Sequence, residues 1–106
     1  MIVEYIRYAV LDAERQQALI DAYREGAKSL DAAPECLAYE LMQCEEDASW
    51  LVLRIEWKST ERHLEGFRKG PYFRPFFAAI GGFVKEIAEM RHYRSTGVEH
   101  RKQAVE

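Results

Sequence analysis

The sequence contains few cysteines, prolines and glycines, and it has no long apolar segment. Two cysteines, three prolines and six glycines occur among the 106 residues. Cys36 and Cys44 fall in one predicted strand, where a rise of about 3.3 Å per residue places them roughly 26 Å apart. A disulfide spans only about 6 Å between Cα atoms, so we expect two reduced thiols. The longest run without a charged residue, 75–84, is too short to cross a bilayer.

The chain also lacks an excess of positive charge. Lys and Arg total 15 against 18 Asp and Glu, which gives a formal net charge of −3. A nucleic-acid surface needs clustered basic residues, and we therefore expect no nucleic-acid partner. The first residues, Met1-Ile2-Val3-Glu4, show neither the basic nor the apolar region of a secretory signal. The expected location is cytoplasmic, with no membrane partner.

Hydrophobic periodicity divides the chain into four strands and three helical segments. β-Branched and aromatic residues are concentrated in the strands, and apolar residues recur at helical spacing in the helices. Asp12 is suited to cap the first helix, Pro34 ends it, and Gly26 allows a kink or close packing within it. The predicted strands are 2–10, 36–44, 50–57 and 83–94, and the predicted helices are 12–32, from Ser59 or Thr60 to 69, and 72–80.

The resulting order, β-α-β-β-α-β, is that of a ferredoxin-like α+β fold, in which helices cover one face of an antiparallel sheet. The domain is expected to span 1–94, followed by a polar and mobile tail over 95–106. The other face of the sheet carries aromatic, apolar and charged residues that a monomer would leave in water. Two sheets packed face to face would bury it, and we therefore expect a homodimeric α+β barrel.

Aromatic residues are concentrated between positions 56 and 77. Trp57 ends a strand, His63 lies early in the next helix, and Phe67 follows one turn later on the same face. With Tyr72, these groups predict a flat apolar cavity for a planar aromatic ligand. The same spacing is also typical of an ordinary core, and a lone helical histidine is more often exposed. The remaining aromatic residues of the predicted lining are Phe73, Phe76 and Phe77.

Motifs for cofactors, metals and covalent catalysis are absent from the sequence. There is no GxGxxG, GxxxxGK[ST], HExxH, GxSxG or CxxC, and no cluster of histidines and carboxylates at metal spacing. We therefore expect no metal and no cofactor. An enzyme of this composition would work with a base, a few hydrogen-bond donors and a reactive substrate. In the last strand, His92 and Tyr93 point to opposite faces, so only one of them can face the cavity.

These features resemble the antibiotic biosynthesis monooxygenase family over residues 2–94. The resemblance is carried by the element order, the run Glu56-Trp57-x-Ser59-x-Glu61-x-His63, the aromatic segment that follows it, and the closing Met90-Arg91-His92-Tyr93. It implies a homodimeric α+β barrel. It also implies oxidation of quinols, anthrones or dihydroxynaphthalenes by molecular oxygen without metal or flavin.

The resemblance further implies a role for individual residues. Trp57 would stack on or beside the substrate ring, His63 would be the base or a hydrogen-bond partner, and Tyr72 would contact a ring oxygen. Either Arg91 or His92 would stabilise developing negative charge, depending on which faces the cavity. The haem-degrading branch instead needs an Asn in the first strand and a His about ten residues after the Trp. This chain has Arg7 and Phe67 there, so haem binding is disfavoured.

The leading hypothesis is a cofactor-independent monooxygenase that oxidises a small aromatic phenol or quinol with molecular oxygen. The alternative is a non-catalytic dimeric module that binds an aromatic metabolite, for example in a stress response. A cofactor-free isomerase or lyase on the same scaffold is a third hypothesis.

Overall fold

A computed structural model describes residues 1–103 of the chain. Its four-stranded antiparallel sheet has the order β2-β3-β1-β4, and its helices pack on one face. This confirms the predicted ferredoxin-like α+β fold. The elements are β1 (Ile2–Ala9), α1 (Ala13–Ala32), β2 (Cys36–Gln43), β3 (Trp50–Trp57), a π-helical segment (Arg62–Phe67), α2 (Phe73–Ile80), a 3-10 segment (Gly81–Glu86) and β4 (Ile87–Arg94).

Helix α1 is capped and packed as its sequence predicts. The Asp12 side chain accepts a hydrogen bond from the Glu14 backbone N–H, which satisfies one free donor at the helix start. Gly26 produces close packing: a Cβ at this position would lie 3.3 Å from side-chain atoms of both Phe76 and Ile80. Helices α1 and α2 therefore approach each other at a residue without a side chain.

The helix predicted from residue 59 or 60 to 69 has a different hydrogen-bond pattern. Ser59 Oγ accepts a hydrogen bond from the Arg62 backbone N–H at 3.0 Å, so the predicted start is right. Beyond it the chain forms a π-helix, and the Arg68 N–H bonds to the His63 carbonyl five residues earlier at 3.0 Å. Both His63 and Phe67 are buried in this wider turn.

The predicted start of the last strand at residue 83 was wrong. Residues Gly81–Glu86 form a 3-10 segment, and β4 begins at Ile87. Phe83 in this segment is buried, and the Arg15 guanidinium lies 3.9 Å from the centre of its ring. Arg15 also pairs with Glu86 at 2.6 Å. These contacts hold the segment against α1, which is why it is not available for strand pairing.

The two faces of the sheet differ as the alternation in β3 predicts. Leu51, Leu53, Ile55 and Trp57 are buried against the helices. On the other face, Arg54 and Glu56 form an ion pair at 2.6 Å. This pair joins two residues of one strand.

Cys36 and Cys44 are free thiols, and burial raises the pKa of Cys36 to about 11.

Residues 95–103 form no helix or strand, and 104–106 lie outside the described residues. The mobility of the 95–106 tail and the domain limit at 94 therefore stay predictions. None of the helices in residues 1–103 combines the length and apolarity that a membrane span requires.

Candidate active site

A cavity of about 210 Å³ lies between the sheet and the helical segments. This volume is below the roughly 300–1,000 Å³ of sites for drug-sized ligands and suits one or two fused rings. Three of its lining residues, Glu4, His63 and Arg68, have a carboxyl, imidazole or guanidinium side chain. The rest of the wall is formed by Ile6, Tyr8, Ile55, Trp57, Phe67, Phe73, Phe76, Phe77, Ile80, Val84, Ile87 and Met90.

A second hollow, of about 300 Å³, lies between α1 and the edge strand β2. Its charged lining residues, Arg24 and Glu40, are exposed. Tyr23 lines this hollow and Tyr8 lines the first cavity, and their hydroxyls hydrogen-bond at 2.5 Å. The buried carboxyl group of Glu4 and the buried imidazole of His63 line the first cavity and not the second, and we therefore take the first cavity as the candidate site.

Glu4 places a carboxyl group in the apolar interior. It lies on the inward face of β1 and is only 1% exposed. Its Oε1 accepts a hydrogen bond from the Trp57 indole N–H at 3.0 Å, which leaves Oε2 as the oxygen available to a ligand. Burial raises the pKa of Glu4, and the Trp57 hydrogen bond and the Arg68 charge oppose that rise. The result is a stronger base than an exposed carboxylate.

His63 is held against Trp57 by stacking. The imidazole and indole planes differ by 10° and their centres are 4.4 Å apart. His63 Nε2 lies 3.6 Å from Glu4 Oε1, and Nδ1 lies 2.8 Å from His92 Nε2. Burial, with the nearby Arg68 and His92, lowers the pKa of His63 to about 3. The ring is therefore neutral at neutral pH and has one nitrogen toward each neighbour.

His92 completes a chain of three groups that leads outward from the cavity. It pairs with Glu4 across the β1–β4 ladder and faces the helices, whereas Tyr93 is on the opposite face. His92 is only partly buried, and burial and the Arg68 charge lower its pKa. The three side chains thus form a row from the buried Glu4 to His92 at the edge of the site, with a hydrogen bond between the two histidines and a 3.6 Å separation between His63 and Glu4.

The same three side chains are a possible metal set. One ligand atom from each lies within 4.8 Å of the others, and two imidazoles with a carboxylate suit several transition metals. However, the 2.8 Å separation of His63 Nδ1 and His92 Nε2 is that of a hydrogen bond. A metal bound by both nitrogens would have to replace this bond. The observed contacts therefore fit shared protons better than a shared metal.

The structure brings most of the predicted site residues together. Trp57, His63 and the four phenylalanines line the cavity, and His92 bonds to His63. One face of the Trp57 indole is covered by His63, and its N–H is taken by Glu4, so Trp57 positions its neighbours. Tyr72 packs on the core but does not line the cavity. Arg91 pairs with Tyr5 across the ladder on the opposite face and contacts Glu89 at 3.1 Å.

Two residues of the site were missed by the sequence analysis. Glu4 had a signal, because it interrupts the inward apolar row that continues with Ile6 and Tyr8 on β1. Arg68 had none, because its position over the cavity follows from the π-helical turn. The absence of metal-ligand spacing in the sequence was also uninformative, since Glu4, His63 and His92 come from three separate elements.

The model of the antibiotic biosynthesis monooxygenase family matches residues 1–79. The chain therefore belongs to this family, which confirms the resemblance seen in the sequence. Among curated proteins, the uncharacterized protein YczJ of Bacillus subtilis strain 168 is 25% identical over 79 residues. That alignment covers 74% of this chain and 83% of YczJ.

Solved structures of the same fold are similar over most of their length. One is a candidate antibiotic biosynthesis monooxygenase from Bordetella bronchiseptica, with a TM-score of 0.72, 17% identity, and coverage of 90% of this chain and 96% of that one. Another is a mutant of SnoaB from Streptomyces nogalater, described as a cofactor-independent oxygenase. Its TM-score is 0.72 at 13% identity, covering 92% of this chain and 94% of SnoaB. These identities show the fold alone; together with the family, the neighbours support a monooxygenase-type role.

Proposed function

We propose that this protein is a cofactor-independent monooxygenase that oxidises a small phenol or quinol with molecular oxygen. The observation that carries the proposal is a buried carboxyl group at the wall of an aromatic cavity, linked through two neutral histidines to the edge of the site. Such a cavity offers what an electron-rich phenol needs for reaction with oxygen, namely a base and a dry, flat binding space. The cofactor-independent oxygenase SnoaB supports this class of reaction.

The aromatic wall would hold the substrate ring. Phe67 contacts Phe73 and Phe76 edge to face, with ring centres 5.9 and 5.5 Å apart. Phe73 and Phe77 add tilted rings at the more exposed end. Such walls bind a planar ring by apolar burial and edge contacts, without a specific polar group. The polar substituents of the substrate would then decide its orientation, with a hydroxyl directed at Glu4 Oε2.

Glu4 would take the hydroxyl proton on Oε2, and a half-turn of the carboxyl group would bring this O–H to the His63 side. His63 and His92 would then pass the proton on. His63 Nε2 accepts a proton from Glu4 as Nδ1–H transfers its own to His92 Nε2. With a pKa near 3, the His63 imidazole does not stay protonated at neutral pH, so it would accept a proton at one nitrogen as it releases another. The 3.6 Å between Glu4 Oε1 and His63 Nε2 exceeds a hydrogen bond. Ligand binding must therefore shorten this distance by roughly 0.5 Å, as catalytic contacts often do.

The reaction then balances with oxygen as the only oxidant. The phenolate gives one electron to oxygen, and the resulting superoxide combines with the ring carbon para to the oxygen to form a peroxide. Protonation of the peroxide returns the proton held by the relay. Loss of the hydrogen on that carbon, with cleavage of the O–O bond, gives a quinone and water. One phenol and one O₂ thus yield one quinone and one H₂O. Because Tyr72 and Arg91 lie outside the cavity wall, no step uses them.

A homodimer is part of the proposal. The outer face of the sheet, made of Val3, Tyr5, Arg7, Trp50, Val52, Arg54, Glu56, Glu89, Arg91 and Tyr93, mixes rings with both signs of charge. Arg7 lies 5.0 Å from the Trp50 ring centre, and Tyr5 contacts Tyr93 edge to face. Such a surface suits contact with a second copy of itself, because a two-fold contact would bury the exposed rings and bring arginines of one copy near glutamates of the other. The cytoplasmic location stays a prediction.

Oxygen consumption tests the proposed function. Protein treated with a chelator is mixed with a panel of phenols, quinols and anthrones. The rate of oxygen uptake is compared with the rate for each substrate in buffer alone. The wild type is expected to exceed the buffer rate for at least one substrate, with one atom of ¹⁸O₂ in the product. His63→Gln is expected to lose about 10²–10⁴-fold, the usual contribution of proton transfer. His100→Gln, an exposed histidine of the tail, is the matched control.

The alternatives give different results in the same experiment. Saturable binding without oxygen uptake identifies the binding module, and product without oxygen uptake identifies an isomerase or lyase. Activity that appears only after addition of a divalent metal contradicts the cofactor-independent reaction and favours the metal set. A loss below about tenfold in His63→Gln contradicts the relay.

A further inference from the structure

We infer that Arg68 selects substrates that carry a carboxylate or another anionic group beside the reacting hydroxyl. This inference rests on the proposed function, because it concerns the substrate of the same cavity. It narrows the substrate class from phenols in general to hydroxylated aromatic acids. Arg68 is a specificity residue in this view, and no step of the oxidation depends on it.

Arg68 has one backbone contact in the π-helical segment and one side-chain contact on the sheet. Its backbone N–H bonds to the His63 carbonyl at 3.0 Å, which places it one π-helical turn from the relay. Its Nη2 lies 3.8 Å from Met90 Sδ on β4. The side chain therefore extends from the π-helical segment to the sheet, and both Arg68 and Met90 line the cavity. The guanidinium lies at the entrance, since the residue itself is exposed.

The guanidinium has free donors. Within residues 1–103, no carboxylate lies within 4.0 Å of it, and its partner is a thioether. The neighbouring Lys69, by contrast, pairs with Glu65 at 2.6 Å, and Arg15 pairs with Glu86. A guanidinium binds a carboxylate through two parallel hydrogen bonds, which a thioether cannot replace. A ligand carboxylate would therefore find this donor pair unoccupied.

The charge of the cavity also favours an anion. Arg68 and Glu4 are the lining residues with permanent or readily formed charge, and Glu4 is buried with a raised pKa. The positive field of Arg68 already reaches His63 and His92, because it contributes to lowering the pKa of each. When Glu4 holds a proton, the guanidinium is the main charge on an otherwise apolar wall. An anionic substituent at the entrance would be stabilised there, while its ring enters the aromatic part.

Calorimetric binding of two matched probes tests this inference. 1-Naphthol and 1-hydroxy-2-naphthoate share the ring and the hydroxyl and differ in the carboxylate. The naphthoate is expected to bind wild-type protein at least about tenfold more tightly, as a charge-assisted hydrogen-bond pair provides. Arg68→Met is expected to abolish the preference and Arg68→Lys to keep part of it. Arg62→Met, an exposed arginine of the same segment, is expected to keep all of it.

The outcomes separate this inference from the proposed function. Equal affinities in the wild type, a preference that survives in Arg68→Met, or binding of neither probe overturns the role of Arg68. Oxygen uptake with neutral phenols alone also overturns it, while leaving the proposed function intact. A preference that depends on Arg68, without oxygen uptake from any substrate, supports the specificity and refutes the oxidation. With active substrates, Arg68→Met is expected to raise KM for the acid more than KM for the matched neutral phenol, and Arg62→Met is expected to raise neither.

Discussion

A buried carboxyl group at position 4 is energetically unfavourable in the interior of a small domain. Burial of an ionisable group costs several kcal/mol unless it is neutralised or hydrogen-bonded. Here the compensation is partial, with one hydrogen bond from Trp57 and a histidine at 3.6 Å. A fold selected for stability alone would place an isoleucine there, like Ile6 two residues later on the same face. This cost is the residue-level reason to regard Glu4 as functional.

Acid stability follows from the pKa of His63. The unfolded chain has the ordinary value of 6.5, and the folded value is about 3. Between these values the unfolded state binds more protons, so the free energy of unfolding falls as the pH falls from about 6.5 toward 3. The loss approaches about 1.4 kcal/mol per pH unit. Glu4 acts in the opposite direction above its ordinary 4.5, because its raised pKa favours the folded state on acidification.

Urea unfolding at pH 7, 5.5 and 4.5 measures these two effects. His63→Gln is expected to flatten the loss of stability toward acid, and Glu4→Gln is expected to steepen it. His100→Gln is the control that leaves the slope unchanged. The same slope in the wild type and His63→Gln would show that His63 is not held neutral by the fold.

At the level of elements, the strands and α1 could be predicted because their signals are local. Alternation in β3 gave its buried face, and Asp12 gave the start of α1. The π-helical segment could not be predicted, because its wider turn depends on packing of His63 and Phe67 under Trp57. The late start of β4 depends on Arg15, 71 residues from Glu86 in the sequence. The proposed relay could not be predicted either, because its members come from β1, β4 and the π-helical segment, which are distant in the sequence.

The outer face of the sheet predicts an effect on assembly. Val52→Asp places a charge at the centre of this face, and it is expected to convert a dimer into a monomer, because an unpaired charge in the contact is costly. Tyr93→Asp on β4 tests the same face at a residue that is 47% exposed. Leu11→Asp, at an 89% exposed residue beyond the face, is the control and is expected to stay dimeric.

Sedimentation velocity at about 100 μM protein measures this, with circular dichroism to confirm the fold of each variant. Monomeric wild-type protein at that concentration would contradict the proposed dimer. Dimers that persist in both folded face variants would assign the contact to another surface.

At the scale of the whole molecule, the two faces of the sheet have different proposed roles, ligand binding on the inner face and assembly on the outer face. The inner face and the helices enclose the aromatic cavity and the members of the proposed relay, while the outer face carries the residues through which the proposed dimer would form. Glu4 and Tyr5 are adjacent in β1 and lie on opposite faces of the sheet, so the cavity wall and the outer face are one residue apart in the sequence. The family membership accounts for this scaffold, and the identity of the buried groups decides the chemistry.

A single-turnover reaction tests most directly whether the buried carboxyl group and its relay drive the oxidation. A phenol found active in the panel is bound to chelator-treated protein under nitrogen and then mixed rapidly with oxygenated buffer, while quinone formation is followed by absorbance. The relay predicts that Glu4→Gln binds the phenol within about threefold of wild type and reacts at least about 100-fold more slowly. Equal rates in the two proteins, or quinone formation only after a metal is added, would contradict it.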